Sequence, residues 1–187
     1  MPKIIDEEKV FNAVIEMFVA HGYEGATTKD IAVIAGVNEA TLFRKYGSKA
    51  ELFEKAINRQ FADAPLRGLE YSGDVEQDLT RMVSAYIETN AQYGEMIPAL
   101  LTASSRHPEL KNAFSVLWEN IQIMLNILKR YQEAGVLRAE SPTITLNTLI
   151  GPIMTAQMFR RAKLELPIPD ITPEQYVKAF LVGRREN

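Results

Sequence analysis

Between Thr27 and Leu52 the chain sets Lys29, Arg44, Lys45 and Lys49 among short apolar runs, and the placing of these cations is the most chemically specific feature of the sequence. Thr27-x-x-Asp30 reads as a helix start whose apolar positions Ile31, Ala32 and Ala35 run out at Gly36. Asn38 then caps a second short helix ending near Tyr46-Gly47, and Ser48-x-x-Glu51 is a capping box for a third. Lys49 falls on the first turn of that third helix, where a cation opposes the macrodipole at a cost of roughly 0.3–1 kcal/mol. A phosphate offsets that cost, because it pairs with the ammonium and accepts hydrogen bonds from the free N–H groups of the same helix end. Thr28 and Lys29 open the preceding helix in the same way and form the other side of a backbone clamp. For any one lysine a solvated surface charge over a plain helical hairpin is the commoner explanation. The ordered set, with Glu39, Ala40, Thr41, Phe43, Arg44 and Lys45 on the outward face of the middle helix, points instead to a helix-turn-helix that reads DNA, with Arg44 and Lys45 the strongest candidates for guanine or backbone contacts.

These elements sit in a chain of 187 residues, 47% hydrophobic and 24% charged, with a net charge of -3. That balance is ordinary for a folded protein, and any basic surface must be local. Absence of cysteine excludes disulfides and thiolate metal sites and is compatible with a reducing compartment. The acids of MPKIIDEEKVFNAV stand where a secretory signal needs its apolar run, and the most lipid-like stretch, from Ile144 to Phe159, falls short of the roughly 20 apolar residues of a membrane span. A soluble, cytoplasmic protein without a membrane partner is expected.

Helical periodicity continues throughout. A first helix runs from about Asp6 to His21, with Val10, Val14, Met17 and Phe18 on one face and Gly22 as its stop. The helix opened by Ser48 extends through Phe61 and halts before Pro65, and residues 68–73 form a junction. Beyond it the pattern predicts helices over Val75 to Tyr93, Ile97 to Ser105, Leu110 to Tyr131 with Pro108 at its opening, Ile144 to Leu164, and one opened by the capping box of Thr172 to Gln175. The fold class is all-α: a helix-turn-helix domain over residues 1–48, a connecting helix over 49–67, and a helical regulatory and dimerisation domain over 68–187.

The stretch FNAVIEMFVAHGYEGATTKDIAVIAGVNEATLFRKYGSKAELFEKAI resembles the N-terminal domain of the tetracycline-repressor (TetR) family. It carries that family's glycine after the first helix, its Thr-x-x-Ile-Ala, its Ala-Gly-Val, a Thr-Leu-aromatic step, and a later aromatic, small polar residue and lysine. The resemblance covers the first third of the chain. It implies an all-helical homodimer that binds a palindromic double-stranded operator and whose C-terminal domain holds a small ligand that releases DNA. It assigns Thr28, Lys29 and Lys49 to phosphate contacts and Glu39, Ala40 and Thr41 to the leading edge of the recognition helix. Phe43 stands where the family has tyrosine, and Lys45 where histidine is common.

The C-terminal two-thirds carry methionines and aromatics suited to an adaptable apolar pocket, with Met82, Tyr86, Trp118 and Met158 as candidate ligand contacts. For each of them singly, ordinary core packing is the commoner role. The last two helices offer Leu146, Leu149, Ile150, Ile153 and Phe180, more apolar surface than one neighbour covers, with Gly151 and Ala156 permitting close approach. This face is read as a homodimer interface; a monomer that buries it in its own core is the alternative. No catalytic or metal-binding motif occurs, no cofactor is called for, and His21 and His107 have capping or surface explanations, so an enzyme is not expected. Two functions remain in view: a ligand-released transcriptional repressor with an unidentified small apolar or amphipathic effector, and a DNA-anchored interaction protein that recruits a protein partner without a ligand.

Overall fold

In a computed structural model, residues 5–164 and 171–184 are described. Residues 1–4, at the head of the acidic N-terminal segment, and residues 165–170 and 185–187 of the expected regulatory region lie outside the described residues. The described residues form nine α-helices: α1 (Glu7–Gly25), α2 (Thr28–Ala35), α3 (Glu39–Tyr46), α4 (Lys49–Ala62), α5 (Val75–Tyr93), α6 (Met96–Arg106), α7 (Ser115–Glu133), α8 (Pro142–Arg161) and α9 (Pro173–Val182). Among them no helix is long and apolar enough to cross a membrane.

The early boundaries follow local chemistry. The side chains of Asp6, Thr27, Asn38 and Ser48 each accept a first-turn backbone N–H at the starts of α1 to α4. Gly36 adopts the left-handed conformation (φ 67°), and the Val37 N–H reaches back to the Ala32 carbonyl at 3.0 Å, which ends α2 in a Schellman-type turn. Gly22 breaks the helical dihedrals of α1 at φ 68° and ψ 179°, so the expected stop is real, although one further turn continues to Gly25.

Packing divides the chain into two units, one of residues 1–64 with 93–118 and one of residues 65–92 with 119–187. Thus α4 packs with the helix-turn-helix, and the chain returns to that unit through α6. Its core joins Val10, Val14 and Phe18 of α1 to Ile31, Leu42, Phe53 and Ile57. Phe53 takes Phe18 and Tyr23 edge-on, with ring centroids 5.7 and 5.0 Å away.

The single helix expected after Pro108 is instead a 3₁₀ segment (Pro108–Phe114) followed by α7. The reason lies far off in sequence. Asn58 of α4 donates from Nδ2 to the Asn112 carbonyl at 3.1 Å and accepts the Val116 N–H on Oδ1 at 3.3 Å, so one amide satisfies both sides of the junction.

In the second unit, Leu79, Met82 and Val83 of α5 pack with Leu128 and Tyr131 of α7, Leu149 of α8 and Val177 of α9. Asp78 is buried within it and accepts hydrogen bonds from the Ser72 N–H (2.8 Å), the Ser72 hydroxyl (2.6 Å), the Tyr131 hydroxyl (2.5 Å) and the Arg81 guanidinium. The Arg161 guanidinium ties α8 to the end of α5 by donating to the Asn90 carbonyl and, at 2.8 Å, to Asn90 Oδ1. The capping box at Thr172 and Gln175 forms in both directions.

The apolar face of α8 and α9 differs from expectation. Leu146, Leu149, Ile150 and Phe180 are buried in the core of their own unit, while Ile144, Met154, Met158 and Phe159 are exposed. The helix is apolar on more than one side because its two faces have different surroundings.

Candidate nucleic-acid interface

The inner side of α3 is set by Leu42 and Tyr46, one turn apart and both buried. Ala40, Phe43, Arg44 and Lys45 consequently face solvent, with Thr41 and Glu39 partly covered at the flanks. Phe43 is 46% exposed, a large apolar ring on an otherwise polar surface. Lys29 is exposed on the first turn of α2, so every residue singled out between positions 28 and 45 lies on α2 or α3 of the first unit.

The cations are not equally free. Lys45 Nζ lies 3.1 Å from Glu7 Oε1, and this hydrogen bond, with the lysine's charge, holds the Glu7 carboxyl below its usual range. Burial first, then Glu7, pushes the Tyr46 hydroxyl up to about 12. An exposed pair of this kind is worth at most about 1 kcal/mol, so Lys45 remains available to another anion. Lys49 occupies the first turn of α4 as expected, but its ammonium sits 4.5 Å from the Tyr23 ring centroid and 3.4 Å from the Glu24 carbonyl oxygen. Burial lowers the Lys49 pKa, with Glu24 acting against it. The ring face and the carbonyl offset the unfavourable dipole from within the chain, a compensation that the sequence did not reveal. Tyr23 also meets the ring of His107 (centroids 4.7 Å apart), whose Nε2 lies 3.1 Å from Glu24 and Nδ1 3.4 Å from Glu109. His107 is thus a bridge between α1 and the chain after α6.

At the start of α2, Thr27 Oγ1 accepts the Asp30 N–H at 3.1 Å and donates to the Asp30 carboxylate at 2.5 Å. The Thr28 hydroxyl donates to Glu39 Oε1 at 2.6 Å, joining the first turns of α2 and α3. No sequence pattern signals this bond, because eleven positions separate its partners.

The candidate ligand contacts differ in burial and in the unit to which they belong. Met82 is fully buried in the second unit's core, and Tyr86 is half-buried with its hydroxyl 3.5 Å from Asn90 Nδ2. Met158 is 52% exposed on α8, whereas Trp118 belongs to the first unit and is 57% exposed.

A helix, a glycine turn and a second helix with an open polar face define the first unit as a helix-turn-helix DNA-binding unit. Residues 11–56 match the family model for bacterial regulatory proteins of the tetR family, and residues 69–179 match the tetracyclin repressor-like C-terminal domain. The chain belongs to the TetR family, whose members are transcriptional regulators rather than enzymes, bind DNA and act as dimers. It is similar to the uncharacterized HTH-type transcriptional regulator YvkB of Bacillus subtilis, with 24% identity over 149 residues, 77% of this chain and 79% of that one. Similarity also extends to the nucleoid occlusion factor SlmA of Shewanella denitrificans, at 29% identity over 138 residues, 69% of this chain and 68% of that one. Among solved structures, the flavonoid-responsive regulator FrrA has the same fold, with a TM-score of 0.73 at 21% identity and 96% of each chain covered.

Proposed function

We propose that this chain is a repressor whose homodimer holds a palindromic operator and releases it when a small apolar or amphipathic molecule occupies the C-terminal region. The open face of α3 carries this reading: Ala40, Phe43 and Arg44 stand clear of the protein, with Lys29 and Lys49 on the first turns of the neighbouring helices. In this reading Thr41, Phe43 and Arg44 meet bases, while Lys29, Lys45 and Lys49 meet phosphates.

Dimerisation is assigned to the exposed stripe of α8. Ile144, Gly151 and Met158 recur at intervals of seven, Met154 and Phe159 widen the stripe, and apart from the adjoining residues and backbone of α8 no described atom lies within 4 Å of the place where a Gly151 side chain would begin. Such a patch on a soluble helix calls for a cover, and a second copy supplies one by self-complementarity. Two-fold symmetry then presents two recognition helices to half-sites about 34 Å apart.

Release by a ligand draws support from polar atoms inside the second unit. The Thr89 hydroxyl is buried with no hydrogen-bond partner among the described residues, and one turn earlier on α5 burial raises the pKa of the Tyr86 hydroxyl. A buried hydroxyl without a partner suits the polar end of an amphipathic guest. FrrA is named for its response to flavonoids, which makes flavonoids a sensible first panel. Selection of bound sequences from random DNA tests the operator: a palindrome is expected, and no enrichment would remove the reading. A thermal-shift screen paired with operator binding tests release. Compounds that raise the melting temperature and weaken DNA binding are expected; none doing either across a broad panel points to the second reading, a DNA-anchored protein that recruits a protein partner. The likeness to nucleoid occlusion factors fits the DNA-anchored part of that alternative.

A further inference from the structure

The hydrogen bond between Thr28 and Glu39 changes what each residue is able to do. An ionised carboxylate has only acceptor positions, so in the 2.6 Å contact the hydroxyl of Thr28 must donate. Threonine has a single O–H, and here it is directed at Glu39. Toward a phosphate the Thr28 side chain then offers only lone pairs. Phosphate at the head of α2 is left to the backbone N–H groups of Thr28 and Lys29 and to the exposed Lys29 ammonium, since the Asp30 N–H is already held by Thr27.

Glu39, for its part, is fixed at the first position of α3, one turn before the exposed Phe43 and on the same side of the helix. Among the described residues nothing else hydrogen-bonds its carboxylate, so Oε2 is open. A negative group at the leading edge of a DNA-reading helix is repelled by every phosphate, and a base edge compensates it only with an N–H donor. In the major groove those donors are the amino groups of cytosine and adenine, whereas guanine and thymine present acceptors. Adenine's amino group is flanked on the same edge by the N7 lone pair, which repels a carboxylate. The neighbour of the cytosine amino group is a C5–H.

Resting on the reading of α2 and α3 as the DNA-reading pair, we propose that Glu39 is a specificity-determining residue that selects cytosine at one position of each half-site, and that Thr28 is the positioning residue that aims it. The contact acts as much by excluding guanine and thymine as by binding cytosine.

Sequence selection from random DNA, run in parallel on the parent protein and the variants Glu39→Ala, Glu39→Gln, Thr28→Val and Thr28→Ser, tests this. The parent is expected to enrich cytosine at one position per half-site. Glu39→Ala should flatten that position by at least about fivefold, from the usual worth of a base-specific contact, and leave the others intact. Glu39→Gln should turn the preference toward adenine, since an amide matches adenine's paired donor and acceptor. Thr28→Val should weaken the cytosine preference, and Thr28→Ser restore it, at an unchanged salt slope. A parent that selects a clear operator while Glu39→Ala and Glu39→Gln keep its base preferences would overturn the inference and leave the regulator reading standing. Loss of the preference in the Glu39 variants but not in Thr28→Val would remove the positioning role alone. No selection by the parent would remove the regulator reading itself.

Discussion

Lys49 and Asp78 show how much a single side chain's surroundings decide. The cost of a lysine on a helix's first turn was visible in the sequence, but its offset by Tyr23 and the Glu24 carbonyl depends on a different helix. Lys49→Ala therefore separates two roles. If the ammonium also meets phosphate, binding weakens about equally on all sequences and the log–log salt slope falls by roughly one unit; an unchanged slope with a lower melting temperature would make its role internal. Arg44→Ala, with no partner among the described residues to lose, should mainly relax base preference at about 1–3 kcal/mol. Asp78 was one acid among many in the sequence. Burial pushes its carboxyl up, yet the bonds from Ser72, Tyr131 and Arg81 together outweigh burial and hold it below the ordinary range. The ionised form is thus favoured by folding, so its stabilisation is present above about pH 4 and is lost as pH falls through the lower folded value. Asp78→Asn should cost about 2–3 kcal/mol in urea unfolding at pH 7, with a smaller loss at acid pH as the parent's advantage disappears.

Helix starts and stops were legible where their chemistry is local. Thr27, Asn38, Ser48 and Thr172 cap the helices that they were expected to cap, because a capping side chain bonds a backbone N–H only two or three residues away. The junction after Pro108 was not legible, since its cap, Asn58, comes from α4. Asn58→Ala is expected to cost about 1–2 kcal/mol, as removal of a helix cap does, and to speed amide exchange at Val116. Protection of Val116 equal to that in the parent would show that the cap is dispensable.

At the scale of the molecule, packing sorts helices without regard to chain order: α4 and α6 both belong with the DNA-binding unit, and α8 buries one apolar face while exposing another. The exposed face gives a direct test of assembly. Met158→Glu places a charge in the proposed two-fold contact and should shift sedimentation from dimer toward monomer, lowering operator affinity by more than tenfold through lost bivalency. Since Met158 is half exposed, the folded monomer should keep its melting behaviour within about 0.5 kcal/mol. A variant that stays dimeric would move the interface off this stripe.

What the sequence determined by itself was whatever depends on near neighbours in the chain: the all-helical class, the order of α1 to α4, the glycine turn, and the cations and Phe43 on the outward side of α3. Helical period and capping act over a few residues, and a sequence states them directly. Tertiary structure alone decided which partner each of those side chains holds. Lys49 rests on Tyr23, Lys45 on Glu7, and the Thr28 hydroxyl on Glu39, contacts between helices whose residues have no fixed spacing in the chain.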